Sequence, residues 1–200
     1  ISNRPVFTNN GTITHSGSCW VAGGTFTNGA SGVVTYAGTT MSLSLNLDVS
    51  LGTFPNGLTV TFTDFDGNDI STLTCGSVTF TKIIITKDSG GEMTISSGCT
   101  APLGASPTSA FNGSGSVFTN NGTITVDSGT WAITDGAASF HTFTNNGTIT
   151  HSGSGWTTAG GFVNGAAGVV TYSGSTMSVS GVFNVSAGTF PSGLTVTFDD

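Results

Sequence analysis

Four oxygen-bearing side chains stand together in one short segment, and they are the residues best suited to bind a metal. Asp64, Asp66, Asn68 and Asp69 offer carboxylate and amide oxygens, the hard ligands that calcium prefers. An EF-hand loop would add a Glu at its twelfth position, which here is Cys75. The segment therefore predicts either a solvated acidic turn or a calcium site of another geometry. Calcium is the one cofactor that the sequence suggests.

A second pair of acids raises the question of catalysis on polysaccharides. Asp127 and Asp135 flank Trp131, and two carboxylates beside an aromatic platform are what a glycoside hydrolase needs. The closest copy of this segment, described below, has Ser152 and Gly160 at the equivalent positions. The acids are therefore not a feature of the repeating unit. We assign no catalytic residue and expect that the chain is not an enzyme.

The histidines and tryptophans have less chemical specificity. His15, His141 and His151 show no spacing typical of a metal site, so we expect them at turns or strand edges. Stacking on sugars is one role open to the tryptophans, and a ladder in the core or at a corner is the other; they are Trp20, Trp131 and Trp156. Among the N-x-S/T sequons, Asn112 is the best candidate for glycosylation because it lies in a predicted loop.

The composition excludes some partners. Only 6% of the residues are charged, the net charge is −7, and the basic residues are Arg4, Lys82 and Lys87. Nucleic-acid binding needs clustered Lys and Arg, so we expect no nucleic-acid partner. No apolar run approaches the roughly 20 residues that a membrane-spanning helix needs, so we expect no membrane insertion.

An internal repeat is the strongest signal in the sequence. Residues 7–62 align without a gap to residues 143–198, with identity at 40 of 56 positions and a constant offset of 136. A partial third copy begins at Phe118. In all three copies FTNNGTIT is followed by a Trp thirteen positions after the Phe. We divide the chain into a first repeat copy (1–62), a divergent middle segment with the acidic turn and a Pro/Gly/Ser loop (63–117), and further copies (118–200; partial 118–142, full 143–198).

A shorter spacing inside the repeat predicts the fold. Apolar residues alternate with Thr in short runs, which indicates strands, and the runs recur every 18–26 residues. One such unit cannot bury its own apolar face, whereas stacked units can, so we predict an all-β parallel solenoid (β-helix) of irregular coils. Its core ladder would consist of equivalent phenylalanines: Phe7, Phe26, Phe118, Phe143, Phe162 and Phe183.

The frequent Asn-Gly pairs suit two folds. In a solenoid they would form the corners, because both residues tolerate positive φ, and stacked Asn side chains would hydrogen-bond between coils. In a tandem pair of β-sandwiches the same pairs would form hairpin turns. The irregular coil length keeps this alternative open.

The cysteine spacing follows the same unit. Cys75 and Cys99 are about one coil apart, so stacking would bring their Cα atoms to about 5 Å, within the range of a disulfide. An exported protein permits this bond. Cys19 has Gly155 as its counterpart and remains an odd thiol.

The FTNNGTIT…W and VTYSGSTMSVSG…FNVSAGTF patterns resemble the repeats of secreted bacterial β-solenoid surface proteins of the filamentous-haemagglutinin, autotransporter and giant-adhesin type. The resemblance covers residues 7–62 and 118–198, and it implies an exported, elongated protein at the cell surface or outside the cell. We therefore expect a non-enzymatic structural protein of an extracellular fibre, sheath or surface layer. Its partner would be itself, as a homopolymer or as tandem repeats of one long chain. The alternative is an adhesin that binds surface glycans, and a polysaccharide-degrading enzyme is a remote alternative.

Overall fold

The chain forms a parallel β-solenoid, as the repeat spacing predicts. A computed structural model describes residues 4–64, 69–87, 90–112, 115–134 and 142–199. Every strand pair in these ranges is parallel, the chain completes about eight turns, and the described residues contain no helix. The β-sandwich alternative, which requires antiparallel hairpins, is wrong. Consequently no helix among the described residues is long and apolar enough to cross a lipid bilayer.

Short strands separated by corners make up the whole described chain. In order they are β1 (Val6–Asn9), β2 (Thr12–His15), β3 (Cys19–Ala22), β4 (Thr25–Asn28), β5 (Val33–Tyr36), β6 (Thr40–Leu43), β7 (Leu47–Asp48), β8 (Leu58–Phe62), β9 (Ile70–Thr74), β10 (Phe80–Lys87), β11 (Glu92–Ile95), β12 (Thr100–Ala105), β13 (Thr108–Phe111), β14 (Val117–Asn120), β15 (Thr123–Ser128), β16 (Thr130–Thr134), β17 (Thr142–Asn145), β18 (Thr148–His151), β19 (Gly155–Thr158), β20 (Gly161–Asn164), β21 (Val169–Tyr172), β22 (Thr176–Val179), β23 (Phe183–Asn184) and β24 (Thr195–Phe198).

These strands stack into three faces. Face 1 is the nine-stranded sheet β1-β4-β7-β9-β11-β14-β17-β20-β23, and face 3 is the nine-stranded sheet β3-β6-β8-β10-β13-β16-β19-β22-β24. Face 2 consists of the pair β2-β5 and the sheet β12-β15-β18-β21. We call the successive layers rungs 1 to 9, and they comprise β1–β3, β4–β6, β7–β8, β9–β10, β11–β13, β14–β16, β17–β19, β20–β22 and β23–β24.

The alternation of residue types decides which side chains point inward. Along β8 the sequence LTVTF gives a strict alternation in which Leu58, Val60 and Phe62 are buried and the Thr residues are partly exposed. Successive side chains of a strand point to opposite sides, so every second residue enters the common core. The outer surface is correspondingly lined with Thr and Ser. In most strands the burial pattern thus follows the alternation of residue types in the sequence.

The predicted phenylalanine ladder forms two columns instead of one. Phe118, Phe143, Phe162 and Phe183 are consecutive partners in face 1, and the rings of Phe118 and Phe143 are stacked with centroids 4.6 Å apart. Phe7 and Phe26 are also partners, with ring centroids 5.7 Å apart. Their column, however, continues into the Asn residues of the later rungs; its next members are Leu47, Leu73, Ile95 and Asn120.

The two columns are separated by a slip of two residues in face 1. The column of Phe26 leads to Asn120, which lies two positions after Phe118. In face 3, by contrast, the partner registers carry the column of Trp20 through Met41, Val60 and Ile83 to Trp131 without a net shift. A slip of one residue would turn every inward side chain outward, but a slip of two preserves the alternation. The core therefore continues across the slip without a break.

Buried Asn side chains form the predicted hydrogen-bonded ladder. The Asn120 amide nitrogen donates to Asn145 Oδ1 at 2.8 Å, and the Asn145 amide nitrogen donates to Asn164 Oδ1 at 2.9 Å. In the first repeat copy, Asn9 donates to Asn28 in the same way at 2.9 Å. A buried amide without partners would cost several kcal/mol, so each of these Asn side chains depends on hydrogen-bond partners in the neighbouring rungs.

The Asn-Gly corners need glycine mainly because an added side chain would not fit, and less because of a positive φ. Among the described glycines of these pairs, Gly57 has a positive φ of 78°. At Gly122 and Gly147 φ is ordinary, but an added Cβ would collide with backbone carbonyl oxygens of the preceding rung, those of Cys99 and Gly122 respectively. Glycine is required there because adjacent rungs approach closely at the corner.

The predicted loop in the middle segment is wrong for most of its length. The Pro/Gly/Ser segment at residues 101–115 contains Pro102 and Pro107, which favour a loop, yet it contributes to β12 and forms β13. Strand β12 is the edge of its sheet in face 2, and Pro102 is partnered with Thr125 of β15. An edge strand tolerates proline because one side of its backbone needs no ladder hydrogen bond.

We predict that Asn145→Ala lowers the free energy of unfolding by about 2–4 kcal/mol, because it leaves a buried donor on Asn120 and a buried acceptor on Asn164. Asn146→Ala is the matched control, since its side chain is exposed, and it should change stability by less than about 0.5 kcal/mol. Urea unfolding followed by circular dichroism measures both. Equal effects of the two substitutions would contradict a role for the ladder.

Candidate assembly surfaces at the two ends

The acidic segment faces cationic side chains. Asp69 forms an ion pair with Arg4, with Oδ2 and Nη2 3.1 Å apart and both side chains less than 10% exposed. The Asp69 amide donates to Asp64 Oδ2 at 3.3 Å. Asp66 and Asn68 lie outside the described residues. Within the described ranges, no group of three or more His, Cys, Asp or Glu side chains is placed to hold a metal ion. The calcium site stays a prediction.

Lys87 is a buried cation beside these acids, and sequence reasoning missed it. Its side chain is 0% exposed, and its Nζ donates to Ser71 Oγ at 2.5 Å and to the carbonyls of Thr63 and Ser44 at 3.2 and 3.3 Å. Burial lowers the pKa of Lys87 to about 8, although Asp64 and Asp69 oppose this shift. The sequence contained a signal for the burial of Lys87, because Lys87 follows Ile83 and Ile85 at every second position of β10 and so points to the same inward side.

Cys75 and Cys99 form a disulfide between rungs 4 and 5, with Cα atoms 5.2 Å apart. Both residues are buried, so the bond lies in the core and not at the surface. Cys19 is a free, exposed thiol on β3. The disulfide holds together two rungs close to the register slip of face 1.

The two equivalent histidines lie at the same turn of their rungs. His151 Nε2 lies 2.8 Å from the Gly155 carbonyl, and the Gly153 amide donates to Nδ1 at 3.0 Å. This arrangement holds a neutral ring, and burial lowers the pKa of His151. His15 makes the corresponding contact with the Cys19 carbonyl at 3.0 Å. His141 lies outside the described residues. The role of His15 and His151 here is to close a turn.

The other candidate residues do not form a common site. Trp131 and Trp156 are buried and stacked with ring centroids 5.0 Å apart, so neither offers a face to a sugar. Asp127 is exposed on β15, and Asp135 lies outside the described residues. Asn112 is partly buried after β13, and its amide donates to the Lys87 carbonyl at 2.6 Å. Glycosylation of Asn112 stays a prediction.

The first rung exposes apolar side chains at the N-terminal end of the stack. We call this surface the N-rim, and we define it by Phe7, Asn9, Ile13 and Trp20. Phe7 is 51% exposed, whereas Ile13 and Trp20 are partly buried. A cavity of about 240 Å³, lined mainly by apolar atoms of residues that include Phe7, Trp20 and Phe26, opens here.

The last rung exposes a comparable surface at the C-terminal end. We call it the C-rim and define it by Phe183, Val185, Leu194, Val196 and Phe198. Phe198 is 63% exposed, and the other four are partly buried. Strand β24 ends face 3, as β23 ends face 1, so each has one edge without a neighbouring strand in its sheet.

Each rim has a buried equivalent inside the same molecule. Phe7 corresponds to Phe143, which is 0% exposed because rung 6 covers it. Phe198 corresponds to Phe62, which is 0% exposed because rung 4 covers it. The sequences of the two copies are nearly the same, so their exposure depends on whether a further rung is present. The rims therefore have the chemistry of an interior surface together with open strand edges, and such edges pair readily with another chain.

We predict that replacing Cys75 and Cys99 together by Ala lowers the free energy of unfolding by about 3 kcal/mol, because the loop closed by a cross-link over 24 residues is then free in the unfolded chain. Cys19→Ala, which removes an exposed free thiol, is the control and should have almost no effect. Urea unfolding without reductant measures both. A similar loss in the control would contradict the assignment.

We predict that stability rises with pH between about 8 and 10, because the folded chain loses the Lys87 proton at a pKa of about 8, below the ordinary lysine pKa of 10.5. Below pH 8 the lysine is charged in both states, and the cost of burying the charge is fully present. Lys87→Met should remove this rise, whereas Lys82→Met, on the same strand but half-buried, should keep it. Thermal unfolding at pH 7, 8.5 and 9.5 tests this, and an unchanged rise in Lys87→Met would contradict it.

Comparisons with known proteins find no relative of this chain. No protein-family model matches the chain, and neither a curated protein nor a solved structure matches it. The resemblance to secreted surface-repeat proteins thus stays a prediction from the sequence. The rims, and the repeat that relates them to buried surfaces, are the features of the molecule that bear on its function.

Proposed function

We propose that this chain is a non-enzymatic structural protein of an extracellular fibre, sheath or surface layer, built by end-to-end stacking of its rungs. The β-solenoid is a fold that suits a structural or surface repeat protein. Its outer wall is lined mainly with Thr and Ser, and each end presents a group of apolar side chains of the inward-facing kind. The partner is therefore more of the same protein, as separate copies or as tandem repeats.

The observation that carries this proposal is the contrast between each rim and its internal equivalent. Phe7 is 51% exposed and Phe143 0%, and Phe198 is 63% exposed and Phe62 0%. Covering apolar surface of this kind stabilises an interface by roughly 25 cal/mol per Å². The open strand edges would gain ladder hydrogen bonds in the same step.

Two features support a location outside the cell or on its surface. The Cys75–Cys99 disulfide suits an oxidising compartment, since cytosolic thiols are mostly kept reduced. The chain has only 6% charged residues and carries its polarity on hydroxyl and amide groups. The resemblance of FTNNGTIT and its neighbouring segments to exported repeats points the same way.

A second candidate function, glycan binding, is favoured by the outer columns of face 2. Thr100, Thr123 and Thr148 are consecutive partners there, as are Thr125, Thr150 and Thr171 in the adjacent column. These residues are partly or fully exposed, so their hydroxyls form a regular polar wall. A wall of this kind would suit the hydroxyl groups of a polysaccharide. A glycan array with the wild-type chain tests this candidate.

We predict that the wild-type chain assembles into filaments that lengthen with concentration, and that Phe7→Asp and Phe198→Asp each stop this growth. Each substitution places a charge on one rim, where an end-to-end joint would bury it without a partner. Electron microscopy and light scattering measure the length and mass of the assemblies.

Val169→Asp is the matched control, because Val169 is a 39% exposed apolar residue on the side wall and not on a rim. It should assemble as the wild type does. A wild-type chain that stays a monodisperse monomer at millimolar concentration would count against assembly. So would a side-wall substitution that blocks growth as strongly as the rim substitutions.

A further inference from the structure

We propose, building on the end-to-end stacking above, that the joint reproduces the internal contact between rungs 6 and 7. The occupant of the N-rim is then the rung-6 end of a second repeat of this same sequence, residues 117–134. In this register Phe118 covers Phe7, Ile124 covers Ile13, and Trp131 covers Trp20. The natural building unit is accordingly the six-rung repeat of 136 residues.

The internal contact supplies the template for this register. Rung 7 repeats rung 1 at an offset of 136, so Phe143, Ile149 and Trp156 correspond to Phe7, Ile13 and Trp20. In the structure Phe118, Ile124 and Trp131 are the respective partners of the rung 7 residues. Face 1, face 2 and face 3 each contribute one pair, so the match extends around the whole rung.

The cavity in the N-rim is lined by the equivalents of two residues that the Trp131 ring contacts inside the molecule. Inside the molecule, the ring centroid of Trp131 lies 5.5 Å from that of Phe143 and 5.0 Å from that of Trp156. The equivalent residues in rung 1, Phe7 and Trp20, both line the cavity of about 240 Å³. A tryptophan that approaches in the same register would enter this cavity and contact both rings.

The Asn ladder gives a second and independent match. Asn145 Oδ1 accepts a hydrogen bond from the Asn120 amide nitrogen at 2.8 Å. Asn9, which corresponds to Asn145, uses its Oδ1 for the Gly11 amide at 3.1 Å, just as Asn120 does for Gly122. An oxygen with a second lone pair remains able to accept from an Asn120 of another repeat.

The C-rim of this chain meets these requirements less well. In face 3, Val196 follows Trp131, Trp156 and Met177 in one column. A joint of rung 9 on rung 1 would therefore place Val196, and not a tryptophan, against the cavity. By the partner register, Val185 follows Asn164 in the Asn column, and it cannot donate to Asn9. Poorly filled cavities and unmade buried hydrogen bonds both weaken an interface.

The test extends the chain to two whole repeats. Residues 63–134 are attached directly after Phe198, as Thr63 follows Phe62 in the first copy, so that the chain ends on a rung-6 surface. We expect this twelve-rung chain to form filaments at a critical concentration at least about tenfold below that of the nine-rung chain. One good additional contact at the joint is enough to raise the affinity by about tenfold. Trp131→Ala in the appended copy alone is the control and should lose this gain.

The outcomes separate this inference from the proposed function. If the two chains assemble at the same concentration, end-to-end stacking stands and the rung 6–rung 1 register is wrong. If the nine-rung chain assembles more readily than the twelve-rung chain, the register is likewise wrong. If neither chain assembles, both proposals fall. Stronger assembly of the twelve-rung chain, lost with the appended Trp, supports the register.

A second variant removes the need for the extension. Val185→Asn with Val196→Trp gives the nine-rung C-rim the two side chains that rung 6 presents, at partly buried positions of the last rung. We expect its critical concentration to fall at least about threefold relative to the wild type. Val182→Trp is the control, since Val182 is 69% exposed and precedes the inward Phe183 on the outer wall. An equal gain in the control would overturn the inference.

Discussion

No rung of this solenoid has an interior of its own, and this constraint governs the rest of the structure. The inward side chains of a rung are buried because the rungs above and below cover them, while the same neighbours accept and donate its backbone hydrogen bonds. Apolar burial and hydrogen bonding are therefore satisfied by one and the same contact. The stability of the fold is a sum over joints between neighbours, and the first and last rungs each lack one joint.

Buried polar groups give these joints their register. Apolar columns alone would tolerate displacement, because Phe, Leu and Ile replace one another in the same column without loss of burial. A buried Asn that needs a hydrogen-bond partner in the next rung does not tolerate such a displacement of the rungs. Asn120, Asn145 and Asn164 thus fix the alignment of rungs 6 to 8. Where face 1 slips, Ser71 enters the column that Met93 continues, and Lys87 donates to its hydroxyl.

The stacking of the rungs was predictable from the sequence because the repeated copies preserve residue type at inward positions. FTNNGTIT and the Trp thirteen residues after its Phe were enough to place Phe118 and Phe143 in one column, and the recurring spacing of about one coil extends that column to Phe162. The slip was not predictable, since it depends on how far β10 extends and on where the following corner falls. Pro102 and Pro107 were read as a loop because local propensity carries no information on which strand is an edge. Lys87 was overlooked because its charge outweighed its inward parity in an apolar run. The rims could be expected in general terms, but their cavity and their Asn acceptor required coordinates.

The two-residue slip also bears on the shape of a long array. It occurs once within the six rungs of a repeat, and it displaces face 1 sideways by about 7 Å, two residues of about 3.3 Å each. Six rungs at about 4.8 Å rise by roughly 29 Å. In an array of such repeats, like residues of face 3 would stay in one column, whereas like residues of face 1 would step sideways by two residues in every repeat. A ligand that recognises one residue type at regular intervals could therefore follow face 3 along the whole rod, but on face 1 it would lose its alignment after a single repeat.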